Sequence, residues 1–287
     1  MIEVGPGPGG ITRSLLGLGA TRVAVIEKDP RFRETLQYLN TACGNRLDIH
    51  IGDVLSFNME NLFSDKLRKS WNEEQEEVKL IGNLPFNVST LLLVKWIKLM
   101  SEHSNLFSYG RVPLVLTFQH EVAQRIIAPP NDLQRSRLSI VCQNWARCEY
   151  EFIIPGGAFL PKPEVDVGVV SIKPLVKPYI DLPFPFVNKT ITILLQGKKK
   201  TVRNTAANLF PKRLELKLSD KMLELASIEP TRLPISLNME ELNKLCHAYK
   251  YLIEQNPSLA NYSRKKDSCE ELVYSADGPN VKKLEAN

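Results

Sequence analysis

The stretch Met1-Ile2-Glu3-Val4-Gly5-Pro6-Gly7-Pro8-Gly9-Gly10 decides the fold. Ile2 to Val4 read as the end of a strand, the glycines as a tight turn, and Ile11 to Leu18 as the helix that follows. Glycine tolerates positive φ and lets a ligand approach the backbone, while the start of the helix presents free N–H groups. The turn satisfies G-x-G-x-x-G, a weak signal alone that gains weight from its surroundings. Strand-like runs follow at Arg22 to Glu27, Leu47 to Ile51, Val78 to Ile81 and Pro113 to Phe118, each short and with β-branched residues. Helices fit between them at Arg31 to Cys43, where Asp29-Pro30 sets the start, and at Val88 to Met100. Such alternation predicts a parallel sheet covered by helices on both faces. Cys148 to Ile154 and Val165 to Lys173 read as an antiparallel pair at its edge.

Pro174, Pro178, Pro183 and Pro185 predict an extended linker over 174–186, which bounds the α/β domain at 1–173. Helical patterns follow at Phe186 to Gln196, Lys199 to Leu209, Asp220 to Ala226 (capped by Ser219-Asp220) and Glu240 to Gln255. Leu242, Leu245 and Tyr249 give the last of these an apolar stripe. They predict a small helical domain over 187–255, and the polar composition of 256–287 predicts a disordered tail. A length of 287 residues suits two domains at about 150 each. At 43% hydrophobic and 24% charged, the chain has enough apolar surface to bury a core. No run approaches the ~18 apolar residues of a membrane span. Cys43, Cys142, Cys148, Cys246 and Cys269 are scattered without a C-x-x-C pair, which argues against a disulfide scaffold or cysteine-rich zinc site and for a reducing compartment. His50, His103, His120 and His247 form no ligand pattern, so no metal is expected.

Charge is unevenly spread. Between Val187 and Lys217 stand eight basic residues against one acid, Glu215; that segment carries +7, and with a net charge of +5 the remainder is at −2. A basic patch on a near-neutral body points to a polyanionic partner, with a solvated helix face as the plain alternative.

Acids recur at successive strand ends. Glu27 closes the second strand, where a carboxylate accepts from both ribose hydroxyls of a bound nucleoside. A nicotinamide dinucleotide would use the same layout, but Glu3, two residues before Gly5, would repel a pyrophosphate. S-adenosylmethionine, a sulfonium with an amino-acid tail, suits it better. Asp53, after the third strand, is placed to accept from an adenine amine; for Glu3 and Asp53 alike the alternative is a turn or helix cap. After the fourth strand comes Asn83-Leu84-Pro85-Phe86, facing the same cleft. The Asn83 side-chain oxygen and the Leu84 carbonyl, aimed by Pro85, would accept both hydrogens of an amine on a base, and Phe86 would stack on that base once it is unpaired or flipped.

Taken in order and spacing, Glu3 to Gly10, Glu27-Lys28-Asp29, Gly52-Asp53-Val54-Leu55, Asn83-Leu84-Pro85-Phe86 and Ala158-Phe159-Leu160-Pro161-Lys162-Pro163-Glu164-Val165-Asp166 resemble the ribosomal RNA adenine dimethyltransferases. The likeness covers about residues 1–250, and Gln134 to Ser139 resembles the metazoan mitochondrial branch. It implies a Rossmann-like class I S-adenosylmethionine-dependent methyltransferase sheet with a small C-terminal helical domain. The implied activity is N6,N6-dimethylation of two adjacent adenosines near the 3′ end of mitochondrial small-subunit ribosomal RNA, supporting ribosome assembly. It also implies that Glu3, Gly5, Gly7, Glu27, Lys28, Asp53, Val54 and Asn83 hold S-adenosyl-L-methionine. Asn83, Leu84, Pro85 and Phe86 would form the target-amine site, with Phe159 as a second aromatic on the flipped base. Lys198, Lys199, Lys200 and Arg203 would grip RNA backbone in a salt-sensitive manner. The implied partner is small-subunit ribosomal RNA or the small subunit, met by a monomer in the mitochondrion. A related branch resembling transcription factors keeps open a non-enzymatic reading with mitochondrial DNA or transcription machinery as partner. The family carries a segment before the first strand, with a Gln-Asn-Phe-Leu element; this sequence starts after it, so the resemblance implies an N-terminally shortened domain and an import signal lying upstream.

Overall fold

A computed structural model describes residues 1–159, 164–197, 199–259 and 262. These fall into two compact units: 1–129 with 133–184, and 130–132 with the residues from 185 onward.

The first unit carries β1 (Ile2–Val4), α1 (Gly10–Gly17), β2 (Val23–Glu27), α2 (Arg33–Ala42), β3 (Leu47–Ile51), β4 (Leu80–Gly82), α3 (Phe86–Ser101), β5 (Leu114–Gln119), α4 (His120–Ile127), α5 (Arg137–Trp145), β6 (Ala146–Ile154) and β7 (Val167–Pro174). The strands form one seven-stranded sheet in the order β3-β2-β1-β4-β5-β7-β6. β1 to β5 are mutually parallel, and β7 runs antiparallel between β5 and β6. All five residues of β2 are buried, as a strand covered on both faces requires. The connections β1 to β2 to β3 run one way across the sheet and β4 to β5 runs the other; right-handed crossovers then put α1 and α2 on one face and α3 on the opposite face. Leu16, Val23, Val25, Leu36 and Leu47 make the core beneath α1 and α2. The strand order reverses between β1 and β4, and a sheet of this kind opens a crevice at the carboxyl ends of the strands that flank such a switch. Val4 pairs with Gly82 there, so the glycine-rich turn and the Asn83 loop leave the sheet side by side.

Two expectations are corrected, and one region without an expectation proves helical. The proline-bearing segment after β7 is packed within the first unit rather than spanning as a linker, and that unit runs to Phe184 instead of ending at residue 173. Prolines deny it a strand ladder, but Asn144 at the end of α5 replaces one: its amide accepts from the Ile180 N–H (2.6 Å) and donates to the Ile180 carbonyl (3.3 Å). Residues 120–145, between the fifth and sixth strands, carry α4 and α5, which the strand-like composition of Leu138 to Cys142 conceals.

The second unit holds most of α6 (Phe184–Leu194), with α7 (Val202–Ala206), α8 (Glu215–Ala226) and α9 (Met239–Gln255). Ser219 does not cap α8: the helix begins at Glu215, and Ser219 lies buried inside it, donating to the Leu216 carbonyl. Asn238 caps α9 in a reciprocal box with Glu241. Leu242, Leu245 and Tyr249 are buried, and Tyr249 stacks on Phe186 and meets Phe210 edge-on. The tail beyond residue 259 lies, apart from Tyr262, outside the described residues.

Candidate active site

At the mouth of β1 the chain turns away through Gly5 (φ +68°) and Gly9 (φ +88°). Gly9 caps α1, and its positive φ calls for glycine; a Cβ there would also stand 2.8 Å from Leu39 Cδ2, so that side chain would have to shift. A carboxylate one strand over holds this turn: Glu27 accepts from the Gly7 N–H through Oε2 (2.9 Å) and from the Asp29 N–H through Oε1 (2.8 Å). Each oxygen has a further lone pair, so Glu27 is both brace and available acceptor.

Glu3 is treated differently. It lies within β1 at 1% exposure, and its Oε2 has no hydrogen-bond partner. Burial pushes its carboxyl up to about 7; the nearby Thr12 hydroxyl and amide oppose that rise, and the Glu27 charge adds to it.

Beyond β3, Asp53 accepts from the Leu55 N–H (2.9 Å) and from Lys28 Nζ (2.7 Å). The Lys28 contact, followed by the Leu55 amide, holds the Asp53 carboxyl below its ordinary range. Lys95 on α3 reaches the Leu55 carbonyl and ties the same turn to the helix.

Asn83 follows β4 directly, and its Oδ1 accepts from the Thr117 hydroxyl of β5 at 2.7 Å. Phe86 opens α3 and is half-buried, with Pro85 before it as the capping residue. A Cβ on Gly5 would lie 3.7 Å from the Asn83 carbonyl, which brings the two loops together.

Between these loops lies a cavity of about 240 Å³. Its walls are Val4, Gly5, Ile26, Glu27, Lys28, Gly52, Asp53, Val54, Leu55, Leu84, Pro85, Asn87, Val88 and Leu92. Of the expected cofactor residues, Gly5, Glu27, Lys28, Asp53 and Val54 line it; Gly7 and Asn83 border it through the contacts above, whereas Glu3 lies buried within β1 and is not among the lining residues. Leu84 and Pro85 line it too, whereas Phe86 and Phe159 are not among the lining residues. Phe159 is half-buried after the short turn Gly156–Ala158; residues 160–163, including Leu160 and Pro161, lie outside the described residues.

Sequence reasoning missed Leu55, Asn87, Val88, Leu92, Lys95 and Thr117. For Thr117 a signal existed: a single hydroxyl in the otherwise apolar run Leu114 to Phe118, near the end of a strand that points into the cleft. The others become visible only once α3 is known to lie against the turn after β3.

In the second unit, Lys199 and Lys200 are exposed and Lys198 lies outside the described residues. Arg203 is not the unpaired cation expected of a backbone contact: its guanidinium grips Asp220 through two bonds of 2.5 and 2.7 Å. Its i,i+17 partner, on the next helix, is invisible to local pattern.

The family model for ribosomal RNA adenine dimethylase matches residues 1–245. Dimethyladenosine transferase 1, mitochondrial, of Xenopus laevis is 44% identical over 92% of this chain and 77% of its own length. Its human counterpart is 43% identical over the same shares, and that of Drosophila melanogaster 39% identical over 91% and 78%. Among solved structures, a dimethyladenosine transferase from Plasmodium falciparum superposes with a TM-score of 0.68 at 22% identity, covering 87% of this chain and 89% of that one. The 23S rRNA methyltransferase ErmE gives 0.58 at 17%, covering 87% and 90%; at such identities both speak for the fold. On the length of the family match and the identity to these relatives, the chain belongs to the ribosomal RNA adenine dimethylase family and is an rRNA adenine N6,N6-dimethyltransferase.

Proposed function

We propose that the chain uses S-adenosyl-L-methionine to dimethylate N6 of two adjacent adenosines in a hairpin near the 3′ end of mitochondrial small-subunit ribosomal RNA, in support of ribosome assembly. The mitochondrial setting is argued from relatives whose names carry it.

The residues around the cavity fit this cofactor. Glu27, already anchored by two amides, offers its remaining lone pairs to ribose hydroxyls. Apolar walls from Ile26, Val54 and Leu92 suit a purine, with Asp53 and Lys28 at its polar edge. The buried, unpartnered Glu3 Oε2 suits the ammonium of a methionine tail and disfavours a pyrophosphate. When bound, the cofactor supplies an electrophilic methyl on a sulfonium.

Asn83 Oδ1 and the Leu84 carbonyl accept the hydrogens of the target amine and turn its lone pair toward the methyl. There the lone pair would take up the methyl that the cofactor supplies, the S–CH3 bonding pair would remain with sulfur, and the resulting ammonium would shed a proton to water. Phe86 and Phe159 stack on the flipped base. Lys198, Lys199 and Lys200 contact RNA phosphates, with Arg203 adding less because Asp220 holds it.

The observation that carries this reading is the meeting of Asn83-Leu84-Pro85 with the Glu27-braced turn around one cavity. Incubation with S-adenosylmethionine and the cognate small-subunit hairpin, then nucleoside mass spectrometry, should yield N6,N6-dimethyladenosine. Asn83→Ala should lower the yield about 100-fold or more, the scale seen when a pre-organised hydrogen-bonding group is removed. Undiminished product from Asn83→Ala would break the assignment, and hairpin binding without product would favour the non-enzymatic reading.

A further inference from the structure

The geometry points to Thr117 as a positioning residue that holds Asn83 in register for both methyl transfers, and above all for the second. The inference rests on Asn83 as an acceptor for the target amine and deepens that reading.

Thr117 is 8% exposed on β5. Pairing between β4 and β5 ends at Gly82 with Leu116, so Asn83 and Thr117 are the next residues along the two chains. A buried hydroxyl requires a partner, and this one donates to Asn83 Oδ1 at 2.7 Å. An amide oxygen accepts at two positions, so one remains for substrate. The bond also decides which edge of the amide carries oxygen. Without it the side chain is free to turn over, presenting its NH2, a donor, to the N–H donors of the substrate.

The two transfers feel that loss unequally. Each replaces one N–H of the amine by N–CH3 and releases one proton. Before the first, the amine has two hydrogens for two acceptors, Asn83 Oδ1 and the Leu84 carbonyl; a flipped Asn83 still leaves the backbone contact. Before the second, one hydrogen remains. When the methyl already points toward Leu84, Asn83 is the only acceptor left, and a flipped amide leaves none. An enzyme without the Thr117 hydroxyl should therefore stall at monomethyladenosine.

Thr117→Val keeps the β-branched shape and removes the donor; Thr117→Ser keeps the donor and removes a methyl. With the full chain, S-adenosylmethionine and the small-subunit hairpin, Thr117→Val should lower kcat about tenfold, with KM for RNA within about twofold. The ratio of monomethyl- to dimethyladenosine should rise at least about fivefold, and Thr117→Ser should restore it. A second readout needs no turnover. The Asn83 side-chain amide, identified by its disappearance in Asn83→Ala, should give an NMR order parameter of ~0.8 in the parent and below ~0.6 in Thr117→Val. An unchanged order parameter, or a product ratio that Thr117→Val leaves alone, overturns the inference. So does a Thr117→Ser variant as impaired as Thr117→Val, since shape would then be what matters. If Asn83→Ala keeps parental activity, the underlying reading of Asn83 fails instead, and the two failures are told apart.

Discussion

Along β1 and beyond the ends of β2 and β3 stand ionisable groups: Glu3, buried within β1, and Glu27, Lys28 and Asp53, which line the cleft. Where β4 ends, the Asn83 amide meets the Thr117 hydroxyl of β5, and neither of these two groups titrates. The difference follows from what each side is proposed to hold. A cationic amino-acid sulfonium rewards carboxylates placed in advance. The target amine is neutral, and a carboxylate against it would be a charge buried without a counterion once the base has closed the site. An amide oxygen directs the same hydrogens without that cost. Within the charged half the acids also diverge: Glu27 is satisfied by two amides, Asp53 by an amide and a lysine, and Glu3 Oε2 by nothing.

The largest effect expected of this contrast is at Glu3. Its folded carboxyl holds a proton up to about 7, against an ordinary value of 4.5. Unfolded chains release that proton first, so the native state loses stability as pH rises from 4.5 to 7 and levels off above. The window corresponds to about 3 kcal/mol. Glu3→Gln, which cannot ionise, should equal the parent near pH 4.5 and become progressively more stable by pH 8, read as a widening gap in Tm. It should also bind S-adenosylmethionine more weakly at pH 8. A Tm gap that stays flat with pH would show that Glu3 has a partner in solution. Glu27→Gln comes next. One of the two N–H donors now braced by a carboxylate would face the new NH2, at a cost of about 2 kcal/mol. Calorimetry should find cofactor affinity about 30-fold lower. Equal behaviour of the two would erase the distinction drawn between them.

A smaller change is expected in the second unit. Lys199→Ala with Lys200→Ala should reduce the slope of log K against log salt for hairpin binding by about 0.7–0.9 per lysine, with little change in product identity. Arg203→Ala should alter the slope less and lower Tm, because Asp220 loses its partner.

The α/β order and the strand-end acids were legible because each is written in contiguous residues: a run of β-branched side chains, a glycine turn, an acid at a fixed offset. What stayed hidden depends on distance along the chain. α5 is buried around most of its circumference, so Leu138 to Cys142 show no polar stripe and imitate a strand. The segment after β7 has linker composition, yet Asn144, 36 residues away, supplies its hydrogen bonds. Thr117 is 34 residues from Asn83 and Asp220 is 17 from Arg203; no local window contains either pair.

Lys28 gives the finest test of the charged half. Resemblance sets it beside the cofactor's adenine, while the structure joins it to Asp53, the very group expected to accept the adenine amine. Both arrangements put Lys28 at the same edge of the cavity, but they assign opposite signs to its removal. If Lys28 chiefly occupies Asp53, Lys28→Met releases an acceptor and affinity rises; if it chiefly covers the ring, affinity falls. The pair is well exposed, 76% for the lysine side chain and 34% for the aspartate, so water and salt already share its charge. Exposed bridges of this kind contribute little, so the change in cofactor affinity should be small. The Leu55 amide holds the second Asp53 oxygen whether or not Lys28 is present, so the carboxylate keeps its place when freed. The expected outcome is therefore a small gain at low salt that vanishes as ionic strength screens the pair. A loss that persists at high salt would mean that the lysine stem packs on the ring and that the ion pair gives way when the cofactor arrives.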